Sequence, residues 1–226
     1  MSTSQAAPIV LANSGSLSPD AVTIDFETLA DDTKLETQFQ LSLGLEVFPQ
    51  GGIPGAYVSS SGSEFFSGGG NNLFNRRGTP LDGEEPSTLI FAFDLPVTQF
   101  AFVGLVADTS SSTFAANSDI ELVFTFFNGD PTDLPSAIEV GQASVQGLGV
   151  SDDGNGNAEF SGTFVGFEIP AGFDFVRVDP IETDDVSTAF IRLDDLTFTT
   201  LIPEPASLGL VVLGVGLMAA RRRREE

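Results

Sequence analysis

Val22-Thr23-Ile24-Asp25-Phe26-Glu27 alternates without a break: Val22, Ile24 and Phe26 fall on one side of an extended chain, Thr23, Asp25 and Glu27 on the other. A period of two marks a strand with one face in a core and the other in water. Comparable runs follow at Leu41–Phe48, Thr88–Phe93, Val97–Val106, Ile120–Phe127, Ala137–Gly147, Ala158–Glu168, Phe175–Asp179 and Thr188–Thr199. Between them lie Gly51-Gly52, Gly68-Gly69-Gly70-Asn71-Asn72, Asn128-Gly129-Asp130-Pro131 and Asp152-Asp153-Gly154-Asn155-Gly156-Asn157, all rich in turn-forming residues. No helical period of useful length appears before residue 206. Many short strands split by turns predict an all-β fold, an antiparallel β-sandwich of the jelly-roll kind. Ser59–Glu85, rich in Gly, Ser and Asn, reads as a long loop on one sandwich edge, and Asp108–Ser118 as a second polar loop. Neither divides the body and no repeat of fixed period appears, so residues 21–200 are expected to form one domain.

Composition narrows the chemistry. Hydrophobic residues make up 41% of the 226, enough for a buried core. The aromatics are 21 Phe and one Tyr, with no Trp; Phe has no polar handle and suits a core better than a sugar-stacking surface. With no Cys and no His, thiolate or imidazole zinc sites, Cys nucleophiles and Ser-His-Asp triads are excluded, and disulfides cannot staple the fold. The net charge is −23; the four arginines and two glutamates of Arg221–Glu226 contribute +2, so the rest sums to −25. So acidic a body repels nucleic acid and favours cations as partners, while also serving plain solubility.

The two ends differ from the body. Ile202-Pro203-Glu204-Pro205 precedes the apolar stretch Ala206–Ala220, and Arg221-Arg222-Arg223-Arg224 follow. Fifteen residues rise about 22 Å as a helix, short of the ~30 Å hydrocarbon core, but arginines that snorkel lengthen the span. The arginine cluster places the C-terminus on the cytoplasmic side and residues 1–205 outside. A buried C-terminal helix is the poorer account, since a run apolar on every face needs a very large core. Met1–Asn13 has no basic n-region, and Ala6–Ala12 is broken by Pro8, so a secretory signal is expected upstream of Met1. Residues 1–20 then read as a disordered lead-in or the remnant of a signal region, and 201–226 as a sorting and anchor tail.

Pro-Glu-Pro, a short apolar helix and an arginine cluster in this order resemble the PEP-CTERM sorting signal. The resemblance implies processing by an exosortase, with Pro203, Glu204 and Pro205 as recognition motif and Arg221, Arg222, Arg223 and Arg224 as stop-transfer cluster. It also implies export, transient anchoring in the cytoplasmic membrane and a final place at the cell surface or in the extracellular matrix. The body shares in it: the opening Ile24-Asp25-Phe26-Glu27 and the closing Phe190-Ile-Arg-Leu-Asp194-Asp195-Leu196-Thr-Phe198 resemble the β-sandwich ectodomains common on such proteins. Phe164-Val-Gly-Phe167 and Phe175-Val-Arg-Val178 fit a penultimate hairpin of that kind.

In a jelly roll the first and last strands commonly lie side by side, which would bring Asp25 and Glu27 near Asp194 and Asp195. Carboxylate oxygens converging there suit Ca²⁺, and likeness to galactose-binding-like jelly rolls implies the same; outward strand-end charges are the equal alternative. Asp152–Asn157 places oxygens at alternate positions, but Ala158 stands where a calcium loop needs Gly and Phe164 where it needs Glu, so it reads as a hairpin turn. Glu182-Thr-Asp184-Asp185 reads as a solvated loop. Three functions remain: a structural or adhesive protein of the surface or exopolysaccharide matrix, a calcium-dependent carbohydrate-binding module, and a glycoside hydrolase with paired carboxylates. The first is expected, with no catalytic residue.

Overall fold

In the computed structural model, which describes residues 7–30, 33–35, 37–49, 56–59, 71–75, 88–108, 113–181 and 189–201, the alternating runs become strands. In chain order these are β1 (Ile9–Val10), β2 (Val22–Ile24), β3 (Lys34–Leu35), β4 (Leu45–Pro49), β5 (Ala56–Ser59), β6 (Asn72–Asn75) and β7 (Leu89–Asp108). After them come β8 (Glu121–Asn128), β9 (Ile138–Gln146), β10 (Val150–Asp152), β11 (Ala158–Phe160), β12 (Thr163–Ile181) and β13 (Ala189–Thr200). All their pairings are antiparallel.

Two long strands, β7 and β12, set the architecture. They pair with each other, and each bends midway so that its halves serve different layers. The first half of β7 carries β4 on its free side, and the second half carries β13. β12 pairs with β8 through Phe175–Ile181 and with β1 at Phe167 and Glu168. The bends have local causes. Pro96 and Pro170 remove ladder donors, Gly172 takes φ +79, and the β7–β12 register slips between Glu168 and Phe175. Across these slips the inward set changes phase once: Val165, Phe167 and Phe173 point inward first, then Val176 and Val178.

One layer holds β4, β8, β9 and the abutting halves of β7 and β12; the other holds β13 and its neighbours with the remaining halves. Phe rings close the gap between them. Phe91 meets Phe100 at 5.3 Å, Phe93 meets Phe198 at 5.1 Å, and Phe124 meets Phe167 at 4.8 Å and Phe102 at 5.9 Å. The expected use of phenylalanine as core material therefore holds, and every ring named here is buried.

Several details depart from the sequence reading. The lead-in takes part in the fold: β1 pairs with β12, the Leu11 N–H donates to the Gly166 carbonyl at 2.9 Å, and the Ser18 N–H donates to Gln99 Oε1 at 2.8 Å. It forms a strap from β12 back to β2, because Leu11 is buried and Gln99 offers an acceptor on the sheet surface. The stretch expected as a strand from Leu41 opens with the one-turn helix α1 (Gln40–Leu43), closed at Gly44, and only then becomes β4. Asp108–Ser118, expected as a loop, contains α2 (Phe114–Ser118). Inside the Gly-rich Ser59–Glu85 lies β6, too short to show a period, yet anchored by Leu73 at 0% exposure and paired with β5 and β13. Phe164–Phe167 and Phe175–Val178 are two halves of β12 and not a hairpin. Among the described residues no helix is long and apolar enough to cross a membrane. The tail from Ile202 on, with its sorting motif, apolar stretch and arginines, lies outside the described residues, as does Glu182–Asp185.

Candidate functional site

The first and last strands of the body do lie side by side. β2 pairs antiparallel with β13, Ile24 opposite Leu196 and Val22 opposite Phe198, with Thr23 and Thr197 sharing a hydroxyl–hydroxyl bond of 2.9 Å. Just beyond this pairing both strands leave regular geometry. On β13 the ladder to β7 slips between Asp194 and Thr197, so two residues separate inward Leu193 from inward Leu196. Asp195 takes φ 49 there, and across from it Phe26 takes φ 57. The left-handed region costs a non-glycine residue roughly 1–2 kcal/mol, a strain that surrounding packing must offset. For Phe26 that packing is a fully buried ring, 6.3 Å from the Phe39 ring.

The consequence is a crowd of carboxylates. Asp194 is only 7% exposed, and its Oδ1 accepts the Asp195 N–H at 2.8 Å. Burial pushes its carboxyl up to about 6, against the pull of that N–H; the charges of Asp195, Glu27 and Asp25 push it further the same way. Asp195 is raised too, by burial first and then by Asp25. Asp25 Oδ1 accepts the Glu27 N–H at 3.2 Å, which turns the chain after β2. The four acids expected as a group from sequence thus neighbour one another electrostatically. Among the described residues, however, no three acidic side chains converge closely enough to hold a metal ion as they stand.

The other acidic motifs are occupied with their own backbone. Asp152 Oδ1 accepts the N–H groups of Gly154 and Gly156 at 2.8 and 2.9 Å, and Asp153 Oδ1 those of Asn155 and Asn157 at 2.7 and 3.2 Å. The Asn157 side chain, followed by the Asn155 N–H, lowers the Asp153 carboxyl to about 2. This is the tip of the β10–β11 hairpin, as its turn residues predict. On the opposite layer Arg177 Nε bonds Asp179 Oδ2 at 2.7 Å and its guanidinium lies 5.8 Å from the Phe127 ring centroid.

One polar knot escaped the sequence reading. Gln99, 8% exposed, accepts from the Ser18 N–H and from Thr199 Oγ1 (3.1 Å), and donates through Nε2 to Glu168 Oε2 at 3.1 Å. It fastens the strap, β7, β12 and β13 together. A lone Gln in an apolar run carries no local signal of such a role.

No protein-family profile matches the chain, and no curated protein is detectably similar to it. Among solved structures it is similar to the K2 cleaved adhesin domain of Lys-gingipain, at 19% identity and a TM-score of 0.48, over 80% of this chain and 99% of that one. The K1 cleaved adhesin domain of Lys-gingipain from Porphyromonas gingivalis W83 aligns at 16% identity and a TM-score of 0.40, over 80% and 98%. The Agl-KA catalytic domain aligns at 11% identity and a TM-score of 0.36, over 78% of this chain and 30% of that one. Likenesses this distant bear on neither ligand nor activity.

Proposed function

We propose that this is an exported protein of the cell surface or exopolysaccharide matrix, with a structural or adhesive role and no catalytic activity. Its body is jelly-roll-like, and its Pro203-Glu204-Pro205 signal hands it to an exosortase while the apolar tail holds it in the cytoplasmic membrane. The observation that carries this reading is where the body closes. β13 ends at Thr200, and the Leu201 N–H makes a final bond to the Pro96 carbonyl at 2.6 Å. Among the described residues the last strand closes there, and the proline-flanked motif that starts two residues later is by its prolines unsuited to any ladder. Expressed behind a working signal peptide in an exosortase-bearing host, the released protein should have lost Ala206–Glu226 by intact mass, and Glu204→Ala should keep the tail. Released wild-type protein that still carries the tail refutes the sorting role.

A calcium-stabilised body, in the manner of a calcium-dependent carbohydrate-binding module, is the second reading. It is favoured by Asp194, a carboxylate almost wholly out of water with one N–H donor and three acidic neighbours. Oxygen-only donors suit Ca²⁺, and an ion held by Asp25, Glu27, Asp194 and Asp195 would relieve their repulsion once the side chains turn inward. A cation bound only by the folded state at a hundredfold excess over Kd adds about 2.7 kcal/mol. Millimolar CaCl₂ should then raise the melting temperature more than NaCl of matched ionic strength, and Asp194→Asn should abolish the difference. Equal shifts in the two salts refute the calcium reading.

A further inference from the structure

The bends of β7 and β12 meet at one corner of the body, and the chain leaves the body at that same corner. Leu201 is bonded to the bend of β7 through the Pro96 carbonyl, and Gly172, in the bend of β12, lies against Pro96, with 3.5 Å from its ideal Cβ position to the Pro96 Cβ. The corner is apolar and open: Leu95 is 54% exposed and Leu201 41%, and Pro96, Pro170 and Ala171 are exposed beside them. The carboxylates around it are mostly drawn away. Glu168 is taken by Gln99, Asp174 Oδ2 accepts the Gly129 N–H at 2.8 Å, and Asp94, though exposed, packs toward Gly44.

We infer that this corner is the face turned to the lipid bilayer while the tail is attached, with Leu95 and Leu201 seated in the interfacial layer. The inference rests on the membrane-anchored reading of the tail and adds an orientation to it. Reach is the first argument. Only Ile202–Pro205 separate Leu201 from the apolar stretch, and five residue steps extend at most about 18 Å. If Ala206 lies at the hydrocarbon edge, the corner stays within about 18 Å of it, close enough to enter the headgroup layer. Apolar exposure is the second. Exposed leucines beside a membrane anchor gain by leaving water, as interfacial apolar side chains do.

The chain has no Cys, so single cysteines introduced into the full-length protein report cleanly. Leu95→Cys samples the corner and Leu213→Cys the tail. Asn155→Cys samples the β10–β11 tip, toward the end of β7 that lies about 36 Å from Val97 by strand rise. Each variant, carrying a polarity-sensitive fluorophore, is reconstituted into phosphatidylglycerol-containing vesicles with and without shallow spin-labelled lipid. The expected result is a blue shift and lipid quenching at 95 and 213 and neither at 155. A label at 213 that is quenched while 95 behaves like 155 overturns the orientation and leaves the anchor standing. A label at 213 that stays in water overturns the anchor, and the orientation falls with it.

Discussion

Replacing Asp194 by Asn changes the electrostatics of the β13 bulge with almost no change of shape, since the amide oxygen can still accept the Asp195 N–H. The wild-type carboxyl sits at about 6 in the folded protein against an ordinary 3.8, and the residue is 7% exposed. A folded-state pKa above the unfolded one means that the native protein holds this proton more tightly than the unfolded chain. The stabilisation is therefore complete below about pH 4 and is lost as the pH rises through about 6. At 1.36 kcal/mol per pKa unit, the gap of roughly two units amounts to about 3 kcal/mol at pH 7.5. Asn cannot ionise and escapes this loss. Since 1 kcal/mol moves the melting point of a domain this size by about 2–4 °C, Asp194→Asn should melt higher by up to about 12 °C at pH 7.5 without divalent cations. The gap should shrink toward pH 4. Calorimetric melts of both proteins between pH 4 and 8 in chelator make the comparison. A variant that melts lower than wild type at pH 7.5, or a gap indifferent to pH, would refute the burial and crowding of Asp194.

Phe124→Ala removes a ring with no exposure that bridges Phe102 and Phe167 across the core, and should lower unfolding free energy in urea by about 3–5 kcal/mol; a loss below 1 kcal/mol would mean the two layers do not meet there. Gly149→Ala places a Cβ 2.5 Å from Leu105 Cβ and 2.7 Å from the Ser161 carbonyl oxygen at φ +69. It should cost more than about 1–2 kcal/mol and loosen the β10–β11 hairpin, seen as faster amide exchange at Val150–Asp152.

The strand class of this fold was legible because burial on one face imposes a period of two, and the runs through Ile24, Phe124 and Phe198 keep it. The bulge in β13 was legible in principle as well. Ile191 and Leu193 keep one phase, Leu196 and Phe198 the other, and the pair Asp194-Asp195 between them holds one residue more than the period allows. The layer change within β7 and β12 was harder, because Pro96 and Pro170 look the same whether a strand ends or only bends. β3 and β6 were beyond reach: a strand of two or four residues has no period, and only tertiary pairing makes it one. The clustering of Asp25 and Glu27 with Asp194 and Asp195 followed from topology. How buried Asp194 would be did not, since exposure depends on what crosses over a sheet.

The place of β13 bears on how the molecule comes to be made. It is among the last stretches of the body to be synthesised, yet it lies in the sheet interior, with β7 on one side and β2 and β6 on the other. Until it arrives, β2 lacks its partner strand, and β3, β5 and β6, though paired among themselves, are not joined to the rest of the sheet. The longest ladders, β7 with β12 and with β13, join residues roughly 60 to 100 positions apart, and such contacts form slowly because a long loop must close first. A chain of this plan can pair its middle strands early, but it cannot complete the sheet until its last strand is in hand.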